Sequence, residues 1–295
     1  MNTLLKNLTI KNNFMFAAVM SDEENCKGFL ERALSMKIDH VEISTEKNIV
    51  YHPEYKGVRL DVYAKDENNT RYNIEMQVLK QPALGRRSRY YQSQMDMELL
   101  SKGCEYAELP DSYVIFLCDF DPFGEGKYRY TFWTACEETE NAFLKDGRCI
   151  MFLNTHGQNP EDVPKELVSF LKFVHADLTE SQKDFQDDYV RQVQKSVIHI
   201  KENREMEERF MLLELLMKDE RREGKKEGIE EGIKEGRKEG LKAMIEMLQM
   251  ALSKFGQLPD SLLETLYEQQ DIEVIKNWMD TALKAQSLDD FISKM

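Results

Sequence analysis

The chain has 295 residues, 41% of them hydrophobic and 10% aromatic, and a formal net charge of −14. This composition excludes a disordered chain, and no run of about 18 apolar residues is present to cross a membrane as a helix. Residues 1–110 hold 15 Lys or Arg against 16 Asp or Glu, so the acid excess lies later and leaves the first third open to a polyanion.

In residues 9–36, Phe14, Phe16, Val19, Met20, Phe29, Leu30 and Ala33 recur at helical spacing around a polar break at 21–25, which predicts two short helices. The first residues lack a basic start, an apolar core and a small-residue cleavage site, so a cytoplasmic protein is expected. Strands are predicted at 47–51, at 57–66 (GVRLDVYAKD) and at 71–79 (RYNIEMQVL), the last two joined by the turn-rich DENNT. A helix over 84–103, ended by Gly103, comes next. Strands follow at 113–120, 128–136 and 148–155, and from Pro164 onward every pattern is helical: 164–175, 181–222, 241–254 and 259–291, the last broken near Asp271 and Ser287. The fold class is therefore α/β, a mixed sheet flanked by helices and followed by an all-helical C-terminal region. The division expected is 1–178, then a long helix over 179–240, then a helical segment over 241–295.

Within that long helix Glu-Gly recurs every four residues from 223–224 to 239–240. Five helical glycines cost about 1 kcal/mol each relative to alanine. Two readings stand: a smooth track against which another helix packs closely, making a homo-oligomer, or a solvated linker. On the first reading residues 181–254 form one continuous helix.

The hairpin at 57–79 carries the chemistry. Leu60, Val62 and Ala64 alternate on one strand and Tyr72, Ile74, Met76 and Val78 on the other, so both sets should share a buried face. Centring the loop on Asn68 sets Val62 opposite Ile74 and Asp61 opposite Glu75, with Gln77 two residues on. Facing carboxylates have Cβ atoms about 4.5–5.5 Å apart and repel, and a hard divalent cation relieves the repulsion. Acidic residues on a solvated strand face are the alternative.

The stretch GVRLDVYAKDENNTRYNIEMQ resembles the core of PD-(D/E)XK nucleases, and more narrowly the recombination-promoting nuclease and putative transposase family, in which an Asp is followed across a short hairpin by Glu-x-Gln. The likeness extends to NNFMF, to RRSRYYQSQM and to the Glu-Gly repeat. It implies a restriction-endonuclease-like fold, DNA as partner, Mg²⁺ (or Mn²⁺) as cofactor, and Asp61, Glu75 and the Met76 carbonyl as metal ligands. It also implies that Gln77 stands where the superfamily has a lysine. Two departures qualify it: Leu60 replaces the motif's proline, and the first helix's acidic group is Asn13, for which Glu31 is a candidate substitute against the first reading of Glu31 as a solvated helix-face residue.

Residues 76–95 contain Lys80, Arg86, Arg87 and Arg89, no acidic residue, and Tyr90 and Tyr91, a stretch suited to phosphates. Arg86 and Arg89 share a helix face; Arg89 is the first choice among the nucleic-acid contacts Arg86, Arg87, Arg89 and Tyr90, against solvated arginines and core tyrosines as the alternative. His40, His52, His156, His175 and His199 form no ligand spacing and are read as lone residues. Cys26, Cys104, Cys118, Cys136 and Cys149 contain no CxxC and are read as buried thiols. No Walker loop, dinucleotide fingerprint or nucleophile elbow is present. The expected activity is metal-dependent DNA cleavage linked to recombination or mobile elements. A nucleic-acid-binding or protein-interaction module with a weakened site is the rival, for which Asn13 and Gln77 speak.

Overall fold

Asn12 has an extended backbone and its side chain accepts the N–H groups of Phe14 and Met15, so α1 (Asn13–Met20) starts there. Asp22 caps α2 (Glu23–Leu34) through the Asn25 N–H. The polar break in the sequence is thus a helix end followed at once by a cap. The computed structural model describes residues 4–49, 58–140 and 142–295. The strand expected at 47–51 lies partly outside them; the described strand, β1, is Val41–Ile49.

β2 (Val58–Asp66) and β3 (Arg71–Gln77) form the hairpin. Asp66 ties its loop by accepting the Asn68 and Thr70 N–H groups and the Tyr72 hydroxyl, while Asn69 takes a left-handed backbone at φ 65°. Val62 faces Ile74, the register that the alternation demands. β4 (Ser112–Cys118), β5 (Arg129–Phe132) and β6 (Arg148–Asn154) complete a six-stranded sheet of order β1-β2-β3-β4-β6-β5. β1, β2 and β3 pair antiparallel, β3, β4 and β6 parallel, and β5 antiparallel to β6. The parallel strands are covered on both faces, which is why YVIFLC reads as an unbroken apolar run.

On one face Val62, Ala64, Tyr72, Ile74, Met76, Ile115 and Leu117 meet Phe16, Val19, Phe29 and Leu30 of α1 and α2. They also meet Leu167, Phe170 and Leu171 of α4 (Lys165–His175) and Val190 and Val193 of α5 (Asp188–Glu202). On the other face α3 (Leu84–Leu99) lays Leu84, Tyr91 and Met95 over Tyr63, Val114, Phe116 and Phe152. Leu60, expected beside Val62, packs in this second cluster. The β2–β3 ladder ends at Val62 and Ile74, while β2 stays paired to β1 through Leu60. Val78, placed in the same set, lies past the end of β3 and is exposed. α3 stops short of Gly103, because Leu100 turns extended; Gly103 sits in the following turn at φ 97°.

α5 is locked to α2 by Tyr189. Its hydroxyl donates to the Asn25 carbonyl at 2.6 Å, and its ring lies 2.5 Å from where a Cβ on Gly28 would stand. No side chain fits at Gly28 without displacing that ring.

Two compact units are present, Met1–Met211 and Leu212–Met295. The second is built on Ile245, Leu248 and Leu252 from the last turns of α6 (Arg204–Leu252), packed with Leu262 and Leu266 of α7 (Asp260–Glu268), Ile275 and Trp278 of α8 (Ile272–Lys284) and Phe291 of α9 (Leu288–Lys294). Asp271 and Ser287 cap α8 and α9, where the breaks were expected. The continuous helix expected over 181–254 is corrected: α5 and α6 are separate, because Asn203 turns extended and its side chain caps the Met206 N–H. Residues 223–240 are helical, yet a Cβ on any glycine of the repeat meets nothing within 4 Å.

Among the described residues no helix is long and apolar enough to cross a membrane. All five cysteines are free thiols. Cys26, Cys118 and Cys149 are buried, but Cys104 is exposed and Cys136 partly so, which corrects the expectation that all are buried.

Candidate active site

Past Val62 and Ile74 the hairpin opens, and its freed edge is filled by carboxylates. Asp61 Oδ2 accepts the Met76 N–H at 3.2 Å, and Glu75 Oε1 accepts the Asp61 N–H at 3.4 Å. Each acid thus stands in for a missing ladder bond on the opposite strand. A residue's N–H and C=O lie on the same strand edge, so the Met76 carbonyl also faces the Asp61 side. Asn13, at the start of α1, brings its amide nitrogen within 3.5 Å of Asp61 Oδ2. Glu31 is not part of this group, since its carboxylate holds the Ile38 N–H and Lys37 at the end of α2.

Asp61 is half-buried and Glu75 only 1% exposed, so this face is no solvated strand surface. α3 closes over it. Arg87 Nη2 pairs with Glu75 Oε2 at 3.0 Å, its Nη1 donates to Gln77 Oε1 at 3.2 Å and Gln81 Oε1 at 3.0 Å, and its Nε donates to the Tyr91 hydroxyl. Arg87 is therefore committed to Glu75 and Gln77, whereas Arg86 and Arg89 are exposed. Tyr90 is half-buried against the α3-side cluster. Of the predicted residues, Asp61, Glu75, Met76, Gln77 and Arg87 come together, with Arg86, Arg89 and Tyr90 on the helix above.

Burial pushes the Glu75 carboxyl up to about 8, with the Asp61 charge adding to the rise and Arg87 opposing it. The Arg87 guanidinium does not offset the burial of Glu75. The site fits a divalent cation held by oxygen: Asp61, Glu75 and the Met76 carbonyl are hard donors of the kind that Mg²⁺ takes.

A second constellation was not visible in the sequence. At the end of β4, Asp119 donates its N–H to the Gln77 carbonyl at 2.9 Å. Its Oδ1 accepts Thr155 Oγ1 at 2.8 Å and lies 2.9 Å from His175 Nδ1 at the end of α4. Oδ2 lies 3.0 Å from Lys11 Nζ. His156 Nε2 is 3.1 Å from the Asp119 carbonyl and 3.6 Å from Oδ1. Burial opposes the charge on Asp119, but hydrogen bonds from His175, Lys11 and Thr155 together hold its carboxyl below the usual range. His156 and His175 are thus not lone residues, as their spacing suggested: the parallel strands and α4 end at one rim and bring them into edge contact at 4.4 Å. His40 and His199 belong to no such group among the described residues, and His52 lies outside them.

No match was found among curated proteins or among solved structures. The family described as PD-(D/E)XK nuclease family transposase matches residues 10–231, which takes in both caps, the hairpin, the sheet, α3 and the start of the Glu-Gly repeat. With three quarters of its length covered by that match, and with its acidic hairpin set in a mixed sheet between helices, the chain belongs to the PD-(D/E)XK nuclease family transposases.

Proposed function

We propose that the protein is a Mg²⁺-dependent endonuclease that hydrolyses DNA phosphodiester bonds, Mn²⁺ serving as a substitute, in the service of recombination or a mobile element. The observation that carries this reading is the pair Asp61 and Glu75 at the open end of the hairpin, Glu75 buried with its carboxyl pushed up to about 8. Asp61, Glu75 and the Met76 carbonyl would hold the cation, which supplies polarisation of the phosphate and a more acidic bound water. Gln77 orients groups by hydrogen bonding and brings no charge. Arg87 makes good that lack: its guanidinium touches both Glu75 and Gln77, so positive charge stands where the superfamily's lysine would bring it. Arg86 and Arg89, exposed on α3, grip the DNA backbone, and Tyr90 supports that surface.

A plasmid-nicking assay with Mg²⁺ titrated into metal-stripped protein tests this. Nicking that depends on the metal and on Asp61 supports it; none at any metal concentration favours the rival, a DNA-binding or protein-interaction module. That rival rests on Asn13, which adds no charge beside Asp61, and on the ion pair that already occupies Glu75.

The Glu-Gly helix supports a homo-oligomer. Leu212, Leu215, Leu216, Ile229 and Ile233 are each more than half exposed on α6, and the glycines between leave room for a second helix. Light scattering on the full chain beside Leu212→Glu/Leu216→Glu tests it, a shift to monomer being expected. The free thiols suit a reducing, cytoplasmic setting.

A further inference from the structure

We propose that Asp119, His156 and His175 form a second metal centre, one that takes a divalent transition ion of the zinc class rather than the hard cation assigned to Asp61 and Glu75. The first argument is the donor set. Two imidazoles and one carboxylate offer ligand atoms that all lie within 4.8 Å of one another, and they come from three separate elements. Imidazole nitrogen suits zinc, nickel and iron and is a poor partner for Mg²⁺.

The second argument is spacing. Zinc bonds of about 2.0 Å at a tetrahedral angle put ligand atoms about 3.3 Å apart. Asp119 Oδ1 lies 2.9 Å from His175 Nδ1 and 3.6 Å from His156 Nε2, values that straddle this, and the two imidazoles offer ligand atoms within 4.8 Å of each other.

The third is a surplus of partners. Lys11 already neutralises the Asp119 carboxylate and Thr155 donates to it, so the two imidazoles come in addition to a carboxylate that has its cation. Lys11 sits on Oδ2 and leaves Oδ1 to face the imidazoles, the arrangement of an outer partner that orients a ligating carboxylate. In the metal-free protein His175 donates from Nδ1 to Asp119. Metal binding needs a free lone pair on Nδ1, so the ring hydrogen of His175 moves to Nε2, and that of His156 moves from Nε2 to Nδ1.

Three protein ligands leave a fourth position, and the histidine side chains are about half exposed at 45% and 51%, so that position opens to solvent. The centre adjoins the carboxylate site: Asp119 is bonded to the Gln77 backbone, and the segment that sends Lys11 to Asp119 sends Asn13 to Asp61. An open transition-metal position at this rim would take a phosphate oxygen of the nucleic acid that passes the carboxylates.

The test is calorimetric titration of Zn²⁺ into the metal-stripped full chain in the presence of excess Mg²⁺, with Co²⁺ as a visible-absorbing probe. One Zn²⁺ per chain that excess Mg²⁺ does not displace is expected, and the Co²⁺ form should show the visible bands of an imidazole-bound tetrahedral ion. His156→Gln/His175→Gln should weaken Zn²⁺ binding by at least about 100-fold and Thr155→Val by about 10-fold, since even outer partners of a ligand are worth 10- to 100-fold. Asp61→Asn/Glu75→Gln should bind Zn²⁺ like the wild type. The proposal is overturned if folded wild type takes up no Zn²⁺, if the wild-type Co²⁺ spectrum lacks imidazole-bound bands, or if Zn²⁺ is lost in the Asp61/Glu75 variant and kept in the double histidine variant. The last result would leave the carboxylate site standing, and loss of nicking alone would leave the histidine site standing.

Discussion

Two acids stand at the same end of the sheet on neighbouring strands, and their environments drive them apart. Asp119 is met by a lysine, a threonine hydroxyl and a histidine and is held ionised. Glu75 is buried deeper, beside a second acid, and is pushed toward the protonated form although Arg87 pairs with it. Burial acts in the same direction on both; the donors around each decide the sign. A carboxylate that its donors keep ionised is a ready ligand, the state in which Asp119 faces the imidazoles. One left short of positive charge is a place where a cation has work to do.

The sharpest break of this contrast is removal of the two hairpin acids. Asp61→Asn and Glu75→Gln are each expected to lower Mg²⁺-dependent nicking about 100- to 1000-fold, the few kcal/mol that a positioned metal supplies. Wild-type nicking by either folded variant would place the metal elsewhere.

Next in size is Arg87→Met, which leaves Glu75 buried without its partner. Loss of one member of a fully buried pair costs about 3–5 kcal/mol, but Glu75 can take up a proton and Arg87 is partly exposed, so about 1–3 kcal/mol is expected. Urea unfolding measures it. Glu75→Gln/Arg87→Met should recover part of the loss; if it does not, the two residues are not coupled.

The pH dependence follows from the sign of the Glu75 shift. Its folded value of about 8 lies above the ordinary carboxylate value of 4.5, so between the two the folded protein holds a proton that the unfolded chain has released. The metal-free protein is therefore expected to lose stability as pH rises from about 5 to 8, with no further loss from this group above that. Glu75→Gln should lack this component, and Mg²⁺ should restore most stability toward pH 8, where its ligand is ionised. Thermal melts across pH with and without Mg²⁺ decide. Equal slopes in wild type and Glu75→Gln would mean that Glu75 is not held protonated.

The smallest effect is on binding alone. Arg86→Gln/Arg89→Gln is expected to flatten the salt dependence of duplex binding by about 0.9 in logarithmic slope for each phosphate no longer neutralised, with cleavage at saturating DNA preserved. An unchanged slope would move the DNA path off α3.

The hairpin was legible in the sequence because alternation and a short polar loop admit one register, and that register set Val62 opposite Ile74. The role of Arg87 was legible in principle. It lies three residues after Leu84 and four before Tyr91, on the stripe that α3 buries, and only grouping it with its basic neighbours hid this. The histidine pair was not legible. His156 and His175 meet because β4 and β6 run parallel and α4 returns to the same rim, and chain spacing carries no record of which strand ends coincide. Asn203 was hidden for another reason: a single residue with a competing side-chain bond interrupts a helical pattern without altering its period.

The docking of α5 against α2 sets a schedule for synthesis. Residues from Asn13 to His175 can leave the ribosome and pair the whole sheet, yet Tyr189, Val190, Val193 and Val197 belong to the same core and emerge later. At about 5–20 residues per second, the nascent chain presents an uncovered apolar face for about a second or more. During that interval the hairpin carrying Asp61 and Glu75 can already be formed while the layer behind it is open. A chain that ends before Tyr189 would remain in that state, a client for chaperones rather than a smaller nuclease, however complete its acidic motif.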